Sequence, residues 1–290
     1  MARWESEEVK VELPRVVEAH VRIVGGEVAI TAAPGPAKVD AKVVHGEPLE
    51  VEVDGGVLTI VHEPERWSVG AISGVGTFKI GPITLGGGSS KATRNEAVVV
   101  LTVPPDTPVT VRTVSGEVVL AGLRAGVSLT TVSGRITATD IAGDVALRSV
   151  SGVIEAEAVD GPVSANVVSG EVTVTGRVPR LTGHSVSGDL TFDLDTVPEV
   201  SLSTISGDVL LRLPAGASLH LDLVTMSGML DTAFPVDGRH DKRRLSGDVG
   251  EARGAATGGA WPSVNVRTMS GDVAVLREER ASVGAAGDDR

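Results

Sequence analysis

Apolar residues recur along the middle of this 290-residue chain with a strict period of 18 residues. From Val114, apolar residues fall at offsets 0, 4, 6, 9, 13 and 15, and the stretches that begin at Val132 and Val150 repeat these offsets. Each half of the unit contains an apolar pair at i and i+2, the spacing of a strand with one buried face. The helical spacing of i, i+3, i+4, i+7 is not found here. The pattern therefore predicts two short strands in each unit.

The dipeptide Ser-Gly lies at one corner of each predicted unit and recurs nine times from residue 115 onward. The first five copies are 18 residues apart, and the next spacings are 19, 21, 19 and 24. The serines are Ser115, Ser133, Ser151, Ser169, Ser187, Ser206, Ser227, Ser246 and Ser270. Glycine at a corner permits a positive φ, so we expect left-handed glycines here. A fixed period indicates a solenoid, so the predicted fold class is all-β: a single-chain β-solenoid (β-helix) with coils of about 18 residues and two short strands each.

The N-terminal third carries weaker copies of the repeat. Residues 24–30 (VGGEVAI) follow the pattern of residues 114–120 (VSGEVVL), and residues 53–60 predict a hairpin with a tight glycine turn. We therefore expect one continuous domain. The predicted organisation is an N-terminal lead over 1–15, a β-solenoid domain over 16–276 with an irregular insertion at 63–95, and a flexible charged tail over 277–290.

Charge and composition narrow the classes of function. The net charge of −12 argues against a nucleic-acid partner, because neutralising phosphates requires clustered Lys and Arg. The lack of cysteine excludes a disulfide framework and thiolate metal sites. The N-terminus is acidic and has no apolar leader segment, and no run of 18 apolar residues occurs. We therefore expect a cytoplasmic protein without a membrane span.

The serine column is one candidate for chemistry. A nucleophilic serine needs a histidine and a carboxylate within hydrogen-bond reach, and only His184 lies near one of the nine serines in sequence. A corner ladder, in which each hydroxyl bonds nearby backbone, is the simpler interpretation. The six histidines show no spacing typical of metal ligands. We predict no catalytic residue and no cofactor, and we expect that the protein is not an enzyme.

An acidic residue follows Ser-Gly in most of the repeats. A stack of carboxylates at this position would be repulsive, and a divalent cation could relieve the repulsion. However, Arg135 and Val153 interrupt the series in two of the most regular coils. We therefore expect a solvated edge that discourages aggregation rather than a metal site. The acidic residues are Glu117, Glu171, Asp189, Asp208, Asp248 and Asp272.

Three repeats carry a resemblance to a known family: TVSGEV (113–118), SVSGVI (149–154) and TISGDV (204–209). Here the chain resembles the bacterial β-strand-repeat family called "putative adhesins", itself a domain of unknown function, and its composition resembles an actinobacterial member. The resemblance runs from about Val16 to Leu276. It implies the repeat fold and supplies no functional residues. It also implies a link to envelope stress or to adhesin-like binding.

Aromatic residues point to one candidate interaction loop. They make up 2% of the chain, yet Trp67 and Phe78 share the Gly-rich insertion. Long insertions on rigid repeat scaffolds often carry binding, and aromatic residues are favoured interface anchors. The alternative is that both side chains fold back to cover the apolar flank of the solenoid.

The leading functional hypothesis is a non-catalytic scaffold that binds an unknown protein partner as a monomer or small oligomer. One alternative is a self-assembling, bactofilin-like solenoid, since solenoid ends expose strand edges. The irregular segment 15–20 and the tail after Leu276 favour capped ends instead. A polysaccharide-active β-helix enzyme is a further alternative, but the clustered acid and base residues that it needs are not evident.

Overall fold

The computed structural model describes residues 2–13, 15–62, 95–250 and 261–278 and, as backbone alone, three short strands between residues 69 and 86. All regular elements in these residues are β-strands, and none is helical. The chain divides into two compact units, residues 1–138 and 139–290. The predicted all-β fold class is thus confirmed, while the predicted domain boundaries stay a prediction.

The strands of unit 1 pair in two long sheets and one small one. The first sheet has the order β1-β6-β7-β3-β12-β14, the second contains β2-β5-β11-β4-β13, and β8-β10-β9 is separate. The bounds are β1 Ala2–Ser6, β2 Glu8–Leu13, β3 Glu18–Ile23, β4 Gly25–Ala32, β5 Ala37–His45, β6 Leu49–Asp54, β7 Val57–His62, β8 Val69–Gly70, β9 Phe78–Ile80, β10 Ile83–Gly86, β11 Glu96–Val103, β12 Val109–Thr113, β13 Glu117–Ala121 and β14 Val127–Thr131, with β15 Arg135–Ala142 running into unit 2.

The N-terminal copy of the repeat lies directly beside the first regular coil. Glu27 in β4 pairs in parallel with Glu117 in β13, so the two matching segments are in the register that the sequence predicts. The predicted hairpin is also confirmed: β6 and β7 are antiparallel, and Gly55 and Gly56 form the turn with φ of 58° and 91°. Both glycines occupy the left-handed region that other residues avoid.

Unit 2 also has two sheets, and the chain passes from one to the other at each corner. Their orders are β16-β18-β20-β22-β28-β24-β27-β26 and β17-β19-β21-β23-β29-β25. The bounds are β16 Val145–Ser149, β17 Val153–Asp160, β18 Val163–Val167, β19 Glu171–Arg177, β20 Arg180–Ser185, β21 Asp189–Leu194, β22 Glu199–Thr204, β23 Val209–Leu213, β24 Leu219–Thr225, β25 Leu230–Thr232, β26 Val236–His240, β27 Arg244–Val249, β28 Ser263–Thr268 and β29 Val273–Arg277.

The coils do not stack in strict chain order. The last coil, β28 and β29, lies between the two coils that precede it in the chain. The prediction that the solenoid is capped by segment 15–20 and by the tail after Leu276 was therefore wrong. Leu276 lies in β29, between β23 and β25, and His20 lies in β3, between β7 and β12. The outermost strands are instead β1 and β2 in unit 1, and β26 and β25 in unit 2. Three of these four outermost strands, β1, β2 and β26, pair antiparallel with their neighbours.

The core consists of the alternate side chains of each strand. Val118, Leu120 and Leu123 are fully buried, at the offsets that the sequence predicts. The residue at offset zero is different: Val114 is only half-buried, whereas the side chain of Thr113 before it is 3% exposed. Val111 and Thr113 already point inward on β12, so the next residue points outward before the chain turns. Offset zero is thus apolar in the sequence but, unlike offsets 4, 6 and 9, is not a core position.

Candidate interaction surface at the Ser-Gly corner

A buried hydroxyl group organises the corner of most coils, although Val167 occupies this position before Gly170. The backbone N–H of the corner glycine donates a hydrogen bond to the Thr or Ser hydroxyl three residues earlier, at 2.8 to 3.0 Å. This satisfies a backbone donor that the fold removes from water. The pairs are Thr113–Gly116, Thr131–Gly134, Ser149–Gly152, Ser185–Gly188, Thr204–Gly207, Thr225–Gly228 and Thr268–Gly271.

The corner glycines are required by close approach between coils. A Cβ atom at Gly116 would lie 2.7 Å from the carbonyl oxygen of Gly26 in the adjacent coil, and at Gly207 it would overlap the carbonyl oxygen of Gly188. None of the Ser-Gly glycines has a positive φ, so that prediction was wrong. At the opposite corner, Gly143 does have a positive φ, of 139°. Glycine thus occurs at both corners for different reasons. Close approach between coils requires it at the Ser-Gly corner, and a positive φ favours it at Gly143.

The serine beside each corner glycine is exposed, and the hydroxyls of three of these serines bond to a neighbouring coil. The Ser133 hydroxyl donates to the carbonyl oxygen of Val114 at 3.1 Å, and Ser227 makes the same bond to Met269 at 3.1 Å. The Ser115 hydroxyl donates to Val24 at 3.3 Å. These three bonds agree with the predicted corner ladder, and they link adjacent coils.

The outward residue between the buried hydroxyl and the exposed serine forms an apolar column in unit 2. Its members, in the order of the stack, are Val186, Ile205, Met269 and Met226, with exposed fractions of 43%, 46%, 50% and 60%. Consecutive members lie side by side, because each coil donates a backbone N–H from the following serine to its neighbour. Ser206 donates to Val186 at 2.8 Å, Ser270 to Ile205 at 2.9 Å, and Ser227 to Met269 at 3.0 Å. We call these four residues the apolar column.

A row of carboxylates runs along one side of the apolar column. The backbone N–H of Asp208 donates to Asp189 Oδ1 at 3.0 Å, and that of Asp272 donates to Asp208 Oδ1 at 2.8 Å. Asp272 Oδ1 in turn accepts from the backbone N–H of Met229 at 2.7 Å. We call Asp189, Asp208 and Asp272 the carboxylate row. Each of its side chains is exposed, and its hydrogen bonds hold it in line from coil to coil.

The other side of the apolar column has a different character. His184, Ser203 and Arg267 occupy matching positions on β20, β22 and β28, and all three are exposed. Val224 continues this line on β24. No carboxylate occurs among these four residues, so charge on the two sides of the column is asymmetric.

One acidic residue lies elsewhere than the sequence suggested. Ser246, Gly247 and Asp248 belong to the antiparallel strand β27 and do not form a corner. Asp248 Oδ1 contacts His220 Nδ1 at 2.7 Å. The Ser-Gly at 246–247 is therefore not a copy of the structural repeat, although it fits the spacing in sequence.

A cavity of about 680 Å³ opens where the corner meets the last hairpin. Met229 and Leu230 supply its apolar lining, and Lys242 and Asp272 supply charge. Asp241 also lines it, and the backbone N–H groups of Arg243 and Arg244, followed by Arg239, lower the pKa of this carboxyl. The cavity extends the corner surface beyond the last member of the apolar column.

Two buried polar residues flank the insertion. His62 is fully buried, and its Nε2 lies 2.9 Å from the carbonyl oxygen of Glu47. Burial lowers the pKa of His62, against a smaller opposing effect of the Glu47 carbonyl. Asn95, at the other end, is 2% exposed.

Most of the predicted interaction loop lies outside the residues that the structure describes. Trp67 lies outside the described residues. The backbone of Phe78 begins β9 and pairs with Leu85 of β10. The proposal that Trp67 and Phe78 bind a partner therefore stays a prediction.

The described parts of the chain contain neither a metal-binding cluster nor a membrane-spanning helix. There, no group of three or more His, Asp or Glu side chains is arranged to hold a metal ion. No helix in those residues is long and apolar enough to cross a membrane. The cytoplasmic location stays a prediction.

Stacked two-strand coils with a repeated corner define a solenoid-like β-repeat protein. The chain belongs to the Toastrack DUF4097 family, whose pattern matches residues 38–276. This confirms the resemblance to a β-repeat family of unknown function. A similar solved structure is a "putative cell adhesion protein" from Clostridium sporogenes ATCC 15579, with 10% identity, 96% of this chain and 100% of that chain covered, and a TM-score of 0.28. No curated protein matches the chain.

Proposed function

We propose that the protein is a non-catalytic interaction scaffold and that the Ser-Gly corner of unit 2 is its binding surface. The observation that carries this proposal is the apolar column. Soluble proteins expose single apolar side chains routinely, but a contiguous apolar surface bordered by polar groups is typical of an interaction site. Methionine is well suited to such a surface because its flexible thioether adapts to different partners.

The scaffold beneath the column supports this function. The hydroxyl–glycine hydrogen bonds and the close contact between glycines fix the backbone at each corner. Rigid positioning of exposed side chains lowers the conformational entropy that binding would otherwise cost. Val186, Ile205 and Met269 are therefore held in a line before any partner arrives.

Self-assembly through the sheet edges is the rival function, and the edges argue against it. The outer strand β26 carries Asp237, Arg239 and His240, all exposed, and β25 has only three residues. Charged and short edge strands discourage pairing with another chain. We therefore propose a monomer or small oligomer with a protein partner, in keeping with the predicted cytoplasmic scaffold. The link to envelope stress or adhesin-like binding stays a prediction.

Affinity capture with a matched pair of variants tests the proposal. The double variant Ile205→Ser/Met269→Ser removes the centre of the apolar column, and Val100→Ser/Val119→Ser removes two similarly exposed residues of unit 1. We expect partners captured by the wild-type chain to be lost with the first variant and kept with the second. Equal capture by the wild type and both variants would end the case for the corner.

A further inference from the structure

The apolar column and the carboxylate row together indicate what kind of segment they would bind. We propose that the corner of unit 2 binds an amphipathic α-helix that lies along the column and carries Lys or Arg on the side facing the carboxylate row. This inference rests on the proposed function and adds the chemistry and shape of the partner.

The spacing of the column favours a helix. Adjacent strands in a sheet are about 4.8 Å apart, so the four members of the column span about 14 Å. A helix laid along the column presents one apolar side chain per turn, about every 5.4 Å. The mismatch is about 0.6 Å per turn, which flexible side chains such as Met226 and Met269 can absorb. About ten residues of helix would cover the column.

An extended strand fits the same column less well. Along a strand, side chains on one face recur about every 6.7 Å, so they would fall out of step with the coils after the first contact. The backbone groups at the corner are also engaged already, since Ser206 and Ser270 donate their N–H groups to the adjacent coils. The corner therefore offers side-chain contacts rather than a free edge for strand addition.

Charge complementarity sets the orientation of the helix. Asp189, Asp208 and Asp272 form a line parallel to the column, whereas the opposite side carries Arg267 and no carboxylate among its four aligned residues. A helix with basic residues toward the carboxylate row gains favourable contacts, and one turned the other way brings its cations toward Arg267. The net charge of −12 also favours the approach of a basic segment.

A designed peptide provides the probe for this inference. The probe is a peptide of about 18 residues, long enough to form a helix, with Leu at i, i+4, i+7 and i+11 and Lys along one side of that stripe. One control peptide has the same composition with Leu and Lys alternating as in a strand. A second keeps the helical pattern and replaces Lys with Glu. Binding to the full chain is measured by fluorescence anisotropy at low salt.

Variants of the protein test whether the peptide binds at the apolar column and the carboxylate row. Ile205→Ser/Met269→Ser should weaken binding of the basic helical peptide about tenfold or more. Asp208→Asn/Asp272→Asn removes two charges but keeps the oxygen that accepts each backbone N–H, and should weaken binding about three- to tenfold, less so at high salt. The matched control Asp106→Asn/Glu157→Gln removes two exposed charges elsewhere and should leave the affinity unchanged. Circular dichroism verifies that each variant is folded.

Several results would overturn the inference. If the alternating peptide bound equally well, the partner would not need to be helical. If the acidic peptide bound equally well, basic residues facing the carboxylate row would not be required. Unchanged affinity for the column variant would place the peptide elsewhere on this acidic protein. Loss of natural partners from the column variant, together with failure of the basic helical peptide, would leave the proposed scaffold standing and reject only the helical partner.

Discussion

The backbone N–H of Gly207 donates a hydrogen bond to the Thr204 hydroxyl at 3.0 Å. The same glycine lies so close to the neighbouring coil that a Cβ atom would overlap the Gly188 carbonyl oxygen. One residue thus meets two demands at the corner: it supplies a donor to a buried hydroxyl and allows two coils to approach. The most direct stability predictions follow from these two contacts.

Substitution of Gly207 by alanine should destabilise the protein strongly. The added methyl group has no space against the backbone of Gly188, so the coils must separate or the corner must distort, at about 2–4 kcal/mol. The matched control is Gly216→Ala, where no heavy atom lies within 4 Å of the added Cβ atom. That change should alter the free energy of unfolding by less than about 1 kcal/mol. Urea unfolding of the two variants measures the difference, and similar values would refute the close-approach argument.

Replacement of the buried hydroxyl separates the two polar residues of the corner. Thr204→Val leaves the buried N–H of Gly207 without its acceptor and should cost about 1–3 kcal/mol. Ser206→Ala alters an exposed residue and should cost at most about 1 kcal/mol. Thr204→Ser retains the hydroxyl and should recover most of the loss. If Ser206→Ala proved the more damaging in chemical denaturation, the buried hydroxyl would not be the organising group.

His62 should make the stability of unit 1 depend on pH. Burial lowers its pKa below the ordinary value of 6.5, so between the two pKa values the unfolded chain binds more protons than the folded chain. The stability contributed by neutral His62 is therefore fully present above about pH 6.5 and is lost as the pH falls through the lowered pKa.

The variant His62→Gln tests this dependence because glutamine can still donate to the Glu47 carbonyl and does not titrate. The free energy of unfolding should fall less for this variant than for the wild type between about pH 7.5 and 5.5. His240→Gln changes an exposed histidine and is the matched control. Parallel curves for the wild type and His62→Gln would contradict the assignment.

The charged edge of unit 2 should keep the protein from assembling. Asp237→Val/His240→Val replaces exposed polar residues on the outer strand β26 and should produce association that increases with protein concentration. The control Asp106→Val/Glu157→Val adds the same apolar groups away from that edge. Light scattering of the wild type and the control should show a monomer or small oligomer. Fibres of the wild-type protein would instead favour the self-assembling alternative.

The sequence predicted the coil well because strand periodicity and corner glycines are local properties. Val118 and Leu120 are buried where the spacing placed them. Stacking order is not a local property, because similar coils present similar strand edges to one another. The sequence therefore did not predict that β28 and β29 lie between earlier coils. The reason for the corner glycines was also not predicted. The contact that requires them lies between two coils and cannot be inferred from the sequence of one repeat.

The candidate site was missed for a related reason. Offset-zero residues such as Val186 and Ile205 are apolar, and their hydrophobicity alone favours a place in the core. The strand alternation points Ser185 and Thr204 inward instead, which turns the next residue toward solvent. A signal was present in the sequence, since Ser or Thr precedes every member of the apolar column. The aromatic pair Trp67 and Phe78 remains a separate prediction, to be tested by Trp67→Ala/Phe78→Ala in the same capture experiment.

Site-specific photo-crosslinking in cells shows whether the corner of unit 2 contacts the partner. A photoreactive amino acid is placed singly at Ile205, Met226 or Met269, and at Val100 or Val119 as controls of comparable exposure. We expect one common crosslinked protein from the three corner positions and none of it from the controls. Crosslinks of equal yield from the control positions, or none from the corner when the controls react, would contradict it.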